Sequence, residues 1–141
     1  MSGLMKMDIN NMDDCIFCKI VKGELPSTKI HEDSDFLAFM NIYPAQKGHA
    51  LIIPKNHIAW MQDADDATVS SIFVLAKDLM KKIKEGLACD YVQVTVMGEE
   101  VQHFHVHLIP RYFNHKLPNW TPVAYDSADE IQTYAAKIKH D

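Results

Sequence analysis

The sequence predicts an α+β fold built on an antiparallel sheet. Three observations carry that prediction. Short runs of strand character crowd the first third of the chain, one long stretch of helical periodicity follows, and an alternating pair of segments then folds back as a hairpin.

Taken in order, residues 1–14 are polar and Met-rich and read as a flexible N-terminal tail, leaving 15–141 as a single domain. Residues 15–22 form a short apolar turn or helix, closed by Gly23 and Pro26. Residues 29–31 and 36–40 look like two short strands around the acidic turn Glu32-Asp33-Ser34-Asp35. A loop over 43–48 precedes His49-Ala50-Leu51-Ile52-Ile53-Pro54, a buried strand ended by proline. Val69, Ile72, Phe73, Ala76, Leu79, Met80 and Ile83 recur at three- and four-residue steps. That spacing predicts an amphipathic helix of roughly four turns with Gly86 as its C-cap. Residues 91–96 alternate as a strand, Gly98-Glu99-Glu100 turns the chain, and 101–109 form the next strand, stopped by Pro110. A loop over 114–122, with Trp120 as a packing anchor, leads to a last helix over 128–139; Trp60 reads as a second anchor.

Length and composition bound the function. The 141 residues suit one domain with a sizeable core, and 48% hydrophobic with 23% charged residues is ordinary for a globular protein. The net charge of −5 argues against a broad nucleic-acid footprint, which needs a basic face. An anionic small molecule remains compatible with it, because a pocket can be locally positive. No apolar run approaches the ~20 residues of a membrane span, and the first residues lack the apolar stretch of a signal peptide. Three Cys give no disulfide framework, so a reducing, cytoplasmic setting is expected.

The chemistry concentrates in His103-Phe104-His105-Val106-His107, three of the chain's eight His within five residues. Alternate residues of a strand share a face, so the three imidazoles line one side while Phe104, Val106 and Leu108 pack on the other. Two chemistries suit such a row. Neutral imidazoles at alternate positions make good Zn²⁺ ligands, and His also serves as nucleophile or acid–base group near neutral pH. In the second case His105, the middle ring, attacks phosphorus, and its neighbours stabilise the charge that develops. Cys15-Ile16-Phe17-Cys18 is a separate two-thiolate bite, open to metal, redox or inert readings. Cys89 reads as an ordinary buried thiol.

These residues resemble a known family. The segment over 101–111 is similar to the signature of the histidine triad (HIT) nucleotide-binding proteins, of the Hint-like branch. Cys15-Ile16-Phe17-Cys18-Lys19-Ile20, Phe39-Met40-Asn41-Ile42-Tyr43-Pro44 and residues 48–57 resemble further family segments, in family order and spacing. The resemblance implies a five-stranded antiparallel sheet with one long helix and a C-terminal helix, and a homodimer. It implies a hydrolase or nucleotidyl transferase acting on a purine nucleotide, for example a nucleoside phosphoramidate or dinucleoside polyphosphate, through a covalent intermediate on His105. His107 and His49 would sit beside the α-phosphate. Asn41 would meet the ribose, and Phe17, Ile20, Phe39, Ile42 and Leu51 would enclose the base, unless they are plain core. The resemblance also implies a structural Zn²⁺ on Cys15, Cys18, His57 and His103, with two packed thiols as the alternative.

The chain departs from the family before His103. The turn Gly98-Glu99-Glu100-Val101-Gln102 is shorter than the Gly-Gln-Ser or Gly-Gln-Thr turn of many members. Gln102 is expected to replace part of that turn's phosphate contact, while Glu99 and Glu100 would repel a polyphosphate. Two other functions fit the same residues: a nucleotide-binding module with little catalysis, and a zinc hydrolase using the triad as ligands to a catalytic water.

Overall fold

The computed structural model describes residues 14–115 and 121–140. The expected tail, apart from Asp14, and Trp120 lie outside the described residues. Helix α1 (Ile16–Val21) starts at Cys15, whose thiol accepts the Cys18 backbone N–H and caps the helix. Strands β1 (Lys29–Glu32), β2 (Phe36–Met40) and β3 (Ala50–Pro54) follow as antiparallel neighbours. Helix α2 (Asp66–Leu87) is capped by the Asp65 carboxylate on the Thr68 N–H. Strands β4 (Tyr91–Val96) and β5 (Val106–Arg111) pair antiparallel, and helix α3 (Ala128–Lys139) comes last. The sheet order is β1-β2-β3-β5-β4, an α+β architecture as the sequence predicts. Among the described residues, no helix is long and apolar enough to cross a membrane.

The sheet buries two unlike faces. On one, Ala38, Met40, Ala50, Ile52, Val106 and Leu108 pack with Ile72, Ala76, Leu79 and Ile83 of α2 and Ala135 and Ile138 of α3. On the other, Leu37, Phe39, Leu51 and Ile53 pack with Cys15, with Phe17 and Cys18 of α1, and with partly buried Val101. Both faces of β2 and β3 are therefore covered, and every residue of these strands is buried. Short α1 leaves the second face partly open, and that gap becomes the site.

Three boundaries differ from the sequence reading by more than one residue, each for a stated reason. Helix α2 is longer, at 22 residues, and ends on Ala88 in a left-handed conformation at φ 55°. Gly86 lies inside it rather than capping it, because a Cβ there would run into the Lys137 carbonyl of α3. Pro110 does not stop β5. It pairs with Val92 of β4, and the β3 ladder has already ended at Ala50–Leu108, so its missing N–H leaves no bond unmade on that side. At its other end β5 begins at Val106 and not at residue 101. The Phe104 N–H goes to the Ile58 carbonyl at 2.6 Å, pulling the preceding residues off the sheet toward the 54–58 turn.

Candidate active site

His103 and His105 thus precede the strand, and only His107 of the triad lies within it. The alternation of faces nevertheless survives the departure. Phe104, Val106 and Leu108 enter the core beneath α2, while all three histidines stay on the face carrying α1. Phe17 of α1 stands against both of the first two, with ring centroids 5.8 Å from His103 and 5.1 Å from His105.

A two-part cavity opens beside His105 and His107. One part is apolar, lined by Phe17, Ile20, Phe39, Ile42 and Leu51 among others. The other, of about 300 Å³, is lined by Ala45, His49, Met97, Gly98, Glu99 and Pro122. Asn41, Tyr43, Glu100, His105 and His107 border both parts. The residues expected around base, ribose and phosphate are therefore brought together, with one exception. Gln102, half-buried, does not line either part.

Hydrogen bonds to backbone groups of known polarity fix the imidazole tautomers. The Ala45 N–H can only donate, so at 2.9 Å it makes Nδ1 of His49 the acceptor. His49 then carries its proton on Nε2 and donates it to Nδ1 of His107, 2.9 Å away. His107 in turn carries its proton on Nε2. The Asn41 amide nitrogen lies 3.5 Å from His49 Nε2, but that approach is donor to donor. Asn41 is held instead by its Oδ1, which accepts the Tyr43 N–H at 2.8 Å. His105 has the opposite tautomer: its Nδ1–H donates to the His103 carbonyl at 2.7 Å. Its Nε2 therefore holds a lone pair, on a ring that is 5% exposed and borders the cavity. Burial holds all three rings neutral. It lowers His49 to about 3, with His107 as the next cause, lowers His107 to about 4, and lowers His105 against the opposing pull of Glu100.

His103 belongs to a different centre. Its Nε2–H donates to the Pro54 carbonyl at 2.8 Å, so the Nδ1 lone pair faces Cys15 Sγ at 3.3 Å and Cys18 Sγ at 3.5 Å. His57 Nδ1 lies 3.3 Å from Cys18 Sγ, and all four ligand atoms fall within 4.8 Å of one another. Tetrahedral Zn²⁺ with ordinary bond lengths separates sulfur and nitrogen ligands by about 3.5 Å, so the group fits that metal. Burial, with Cys15 beside it, pushes the Cys18 thiol up to about 12, opposite to what a redox-active thiol needs. Among the described residues, this is the one such cluster of His, Cys, Asp or Glu. The triad itself offers no shared metal site, because both nitrogens of His103 are engaged away from His105 and His107.

Several contributors carried no clear signal in the sequence. Tyr43 borders both parts of the cavity, Pro122 arrives from the segment before α3, and the Ala45 N–H sets the histidine relay. The segment carrying Pro122 is tied down by the Val123 N–H on the Pro44 carbonyl and by the Tyr125 hydroxyl on the Gly48 N–H.

Comparison with known proteins agrees with this fold. Residues 22–114 match the HIT domain. A Bacillus subtilis protein named hit is 37% identical over 105 residues, covering 71% of this chain and 72% of that one. An adenosine 5′-monophosphoramidase of Schizosaccharomyces pombe is 42% identical over 98 residues, covering 69% of this chain and 74% of that one. A Hit-like protein from Bartonella henselae superposes with a TM-score of 0.82 at 30% identity, over 91% of this chain and 96% of that one. A Zn-bound histidine triad protein from Mycobacterium smegmatis gives 0.80 at 28% identity, over 92% and 96%.

Proposed function

Because the chain belongs to the HIT family, we propose that it is a hydrolase or nucleotidyl transferase acting at the α-phosphorus of a purine nucleotide, with His105 as nucleophile. One observation carries the reading: His105 gives its Nδ1 proton to a backbone carbonyl, which leaves a lone pair on Nε2 of a ring that lines the cavity. In the first step Nε2 attacks phosphorus, the bond from phosphorus to the leaving nitrogen or oxygen breaks, and the departing atom takes a proton. A neutral His107 that gave up its Nε2–H would be left as an imidazolate, so the ring is proposed to take up a proton from solvent when the phosphate anion binds beside it and to pass that proton to the departing atom, with His49 backing it. In the second step water attacks the phosphorus–Nε2 bond, frees His105 and releases the nucleoside monophosphate while its proton returns to the relay.

The apolar part of the cavity suits a purine base, and Asn41 at the junction suits the ribose. Cys15, Cys18, His57 and His103 would hold Zn²⁺, a reading supported by their separations. Bound there, the metal fastens α1, and with it Phe17, to the His103 end of the catalytic segment. A closed Cys₂His₂ shell has no open position for water, so its role is structural. A homodimer in the cytoplasm completes the reading. Exposed Val74 on α2, with Val96 and Met97 at the edge strand β4, supports pairing through those elements.

One observation favours a second reading, a binding module with slow catalysis: Gln102 does not reach the cavity. Mass spectrometry after brief incubation with nucleoside phosphoramidates and dinucleoside polyphosphates separates the two. The nucleophile reading expects a nucleotidylated His105; tight nucleotide binding with no adduct and no turnover supports the module instead.

A further inference from the structure

Of the carboxylates at the cavity, Glu99 lines only the more polar part and Glu100 stands at the junction of the two parts, and this bears on what leaves. If the base fills the apolar part and phosphorus sits at His105 and His107, the leaving group extends into the other part. That part is lined by Tyr43, Met97, Gly98, Glu99, Glu100 and Pro122 beyond the histidines. Among the described residues lining either part there is no Lys or Arg, and the imidazoles are neutral. Among the described residues, the two carboxylates thus have no cation lining the cavity beside them where a polyphosphate would have to lie. Glu100 is near enough to His105 to act on it electrostatically. The turn that carries both carboxylates is held in place, since a Cβ at Gly98 would strike the Trp60 ring that packs on it. The acidic pair is not the sole pointer to a ligand here, because it lines the same part of the cavity as His105, a ring only 5% exposed whose Nε2 has no hydrogen-bond partner among the described residues.

Resting on the proposed reaction, we infer that Glu99 and Glu100 are specificity-determining residues that select a cationic leaving group and reject an anionic one. The favoured substrate class is a nucleoside 5′-phosphoramidate whose amine bears a second, positively charged group. The exposed Tyr43 ring at the rim offers a further face to that charge. Dinucleoside polyphosphates, with several negative charges in the leaving group, are the disfavoured class. An exposed charge pair changes an equilibrium roughly threefold, so two carboxylates acting across the two unit-charge steps from a cationic to an anionic leaving group are expected to discriminate by about 10².

Three adenosine 5′-phosphoramidates of similar length test this on the full-length protein. They are formed from 1,2-diaminoethane, propylamine and β-alanine, so that the distal group is an ammonium, a methyl or a carboxylate. The expected order of kcat/KM is ammonium, then methyl, then carboxylate, with about 10² between the extremes at low salt. In the Glu99→Gln/Glu100→Gln variant that ratio should fall toward one, and in the wild type it should shrink as salt screens the carboxylates. The ratio is the readout because a general loss of activity or folding does not move it. Equal turnover of the three by the wild type, or a ratio unchanged in the variant, overturns this inference and leaves the nucleophile assignment standing. Turnover of none, with no adduct on His105, overturns both.

Discussion

His103 and His105 are two residues apart on one face and similarly buried, at 0% and 5% exposure, yet they hold opposite protons. His103 donates from Nε2 to the Pro54 carbonyl and turns Nδ1 toward two thiols. His105 donates from Nδ1 to the His103 carbonyl, which leaves a lone pair on Nε2 of a ring that lines an open cavity. Residue type, spacing and burial are nearly the same at the two positions. The backbone acceptor that takes the proton decides which nitrogen each ring keeps free, and so which ring suits the proposed ligand role and which the proposed nucleophile. The carbonyl of the first histidine orients the second, so the Cys–His cluster and the cavity ring are joined through one residue.

The comparison breaks most sharply at His105. Replacing it with Ala removes the nucleophile and should lower kcat by at least ~10³-fold, or about 4 kcal/mol of barrier, while nucleotide binding persists. Steady-state hydrolysis with a parallel binding titration checks both halves. Wild-type turnover in this variant would end the nucleophile assignment.

At the other end the expected loss is stability. His103→Ala removes a ligand and leaves the Pro54 carbonyl buried without its donor, which should destabilise the fold by roughly 3 kcal/mol and empty the metal site. Molecules that remain folded should still form the His105 adduct, because the carbonyl that orients His105 is backbone. Metal content by atomic absorption, thermal melts and adduct yield per folded molecule measure the three effects. Chelation of the wild type should follow the same course, with melting temperature falling before turnover. Loss of turnover at once, at unchanged stability, would revive the zinc-hydrolase reading.

How much of this was readable from side chains alone can be said residue by residue. The alternation of Phe104, Val106 and Leu108 with the histidines was legible, because a core needs one apolar face wherever the ladder begins. So were α3, over the same residues 128–139, and the grouping of Cys15, Cys18, His57 and His103, from a family pattern. The start of β5 was not legible: it depends on the Phe104 N–H finding the Ile58 carbonyl, and a backbone donor's choice leaves no mark in composition. Gly86 misled for a related reason. A glycine near a helix end suits a C-cap, but here it clears the backbone of α3, a neighbour 51 positions away in sequence. The tautomers lay furthest from view, since carbonyls and the Ala45 N–H set them.

The relay beside His105 gives a smaller effect. In His49→Gln the donor to His107 Nδ1 is less rigidly held, so His107 samples the wrong tautomer. A loss of about 10²-fold in kcat is expected, with the adduct still formed. Rapid-quench kinetics locates the defect: slowed formation or breakdown of the adduct supports the relay, whereas loss of nucleotide affinity alone would count against it.

The smallest effect is a slope of stability against pH. His49 titrates near 3 in the folded chain and near 6.5 when exposed in the unfolded one. Below 6.5 the unfolded state binds a proton that the folded state refuses, so folding stability falls as pH falls through the window from 6.5 toward 3. Each pH unit in that window removes up to about 1.4 kcal/mol for this residue, and roughly 2 kcal/mol is gone by pH 5. His107, lowered to about 4, adds a parallel contribution over a narrower window. Urea unfolding at pH 7 and pH 5 should therefore show a steeper loss for the wild type than for His49→Gln, which has no imidazole to protonate there. Equal slopes would mean that His49 is already accessible to protons in the folded chain. The neutral relay, and with it the tautomer assigned to His107, would then have to be abandoned, while the lone pair of His105, fixed separately by the His103 carbonyl, would remain.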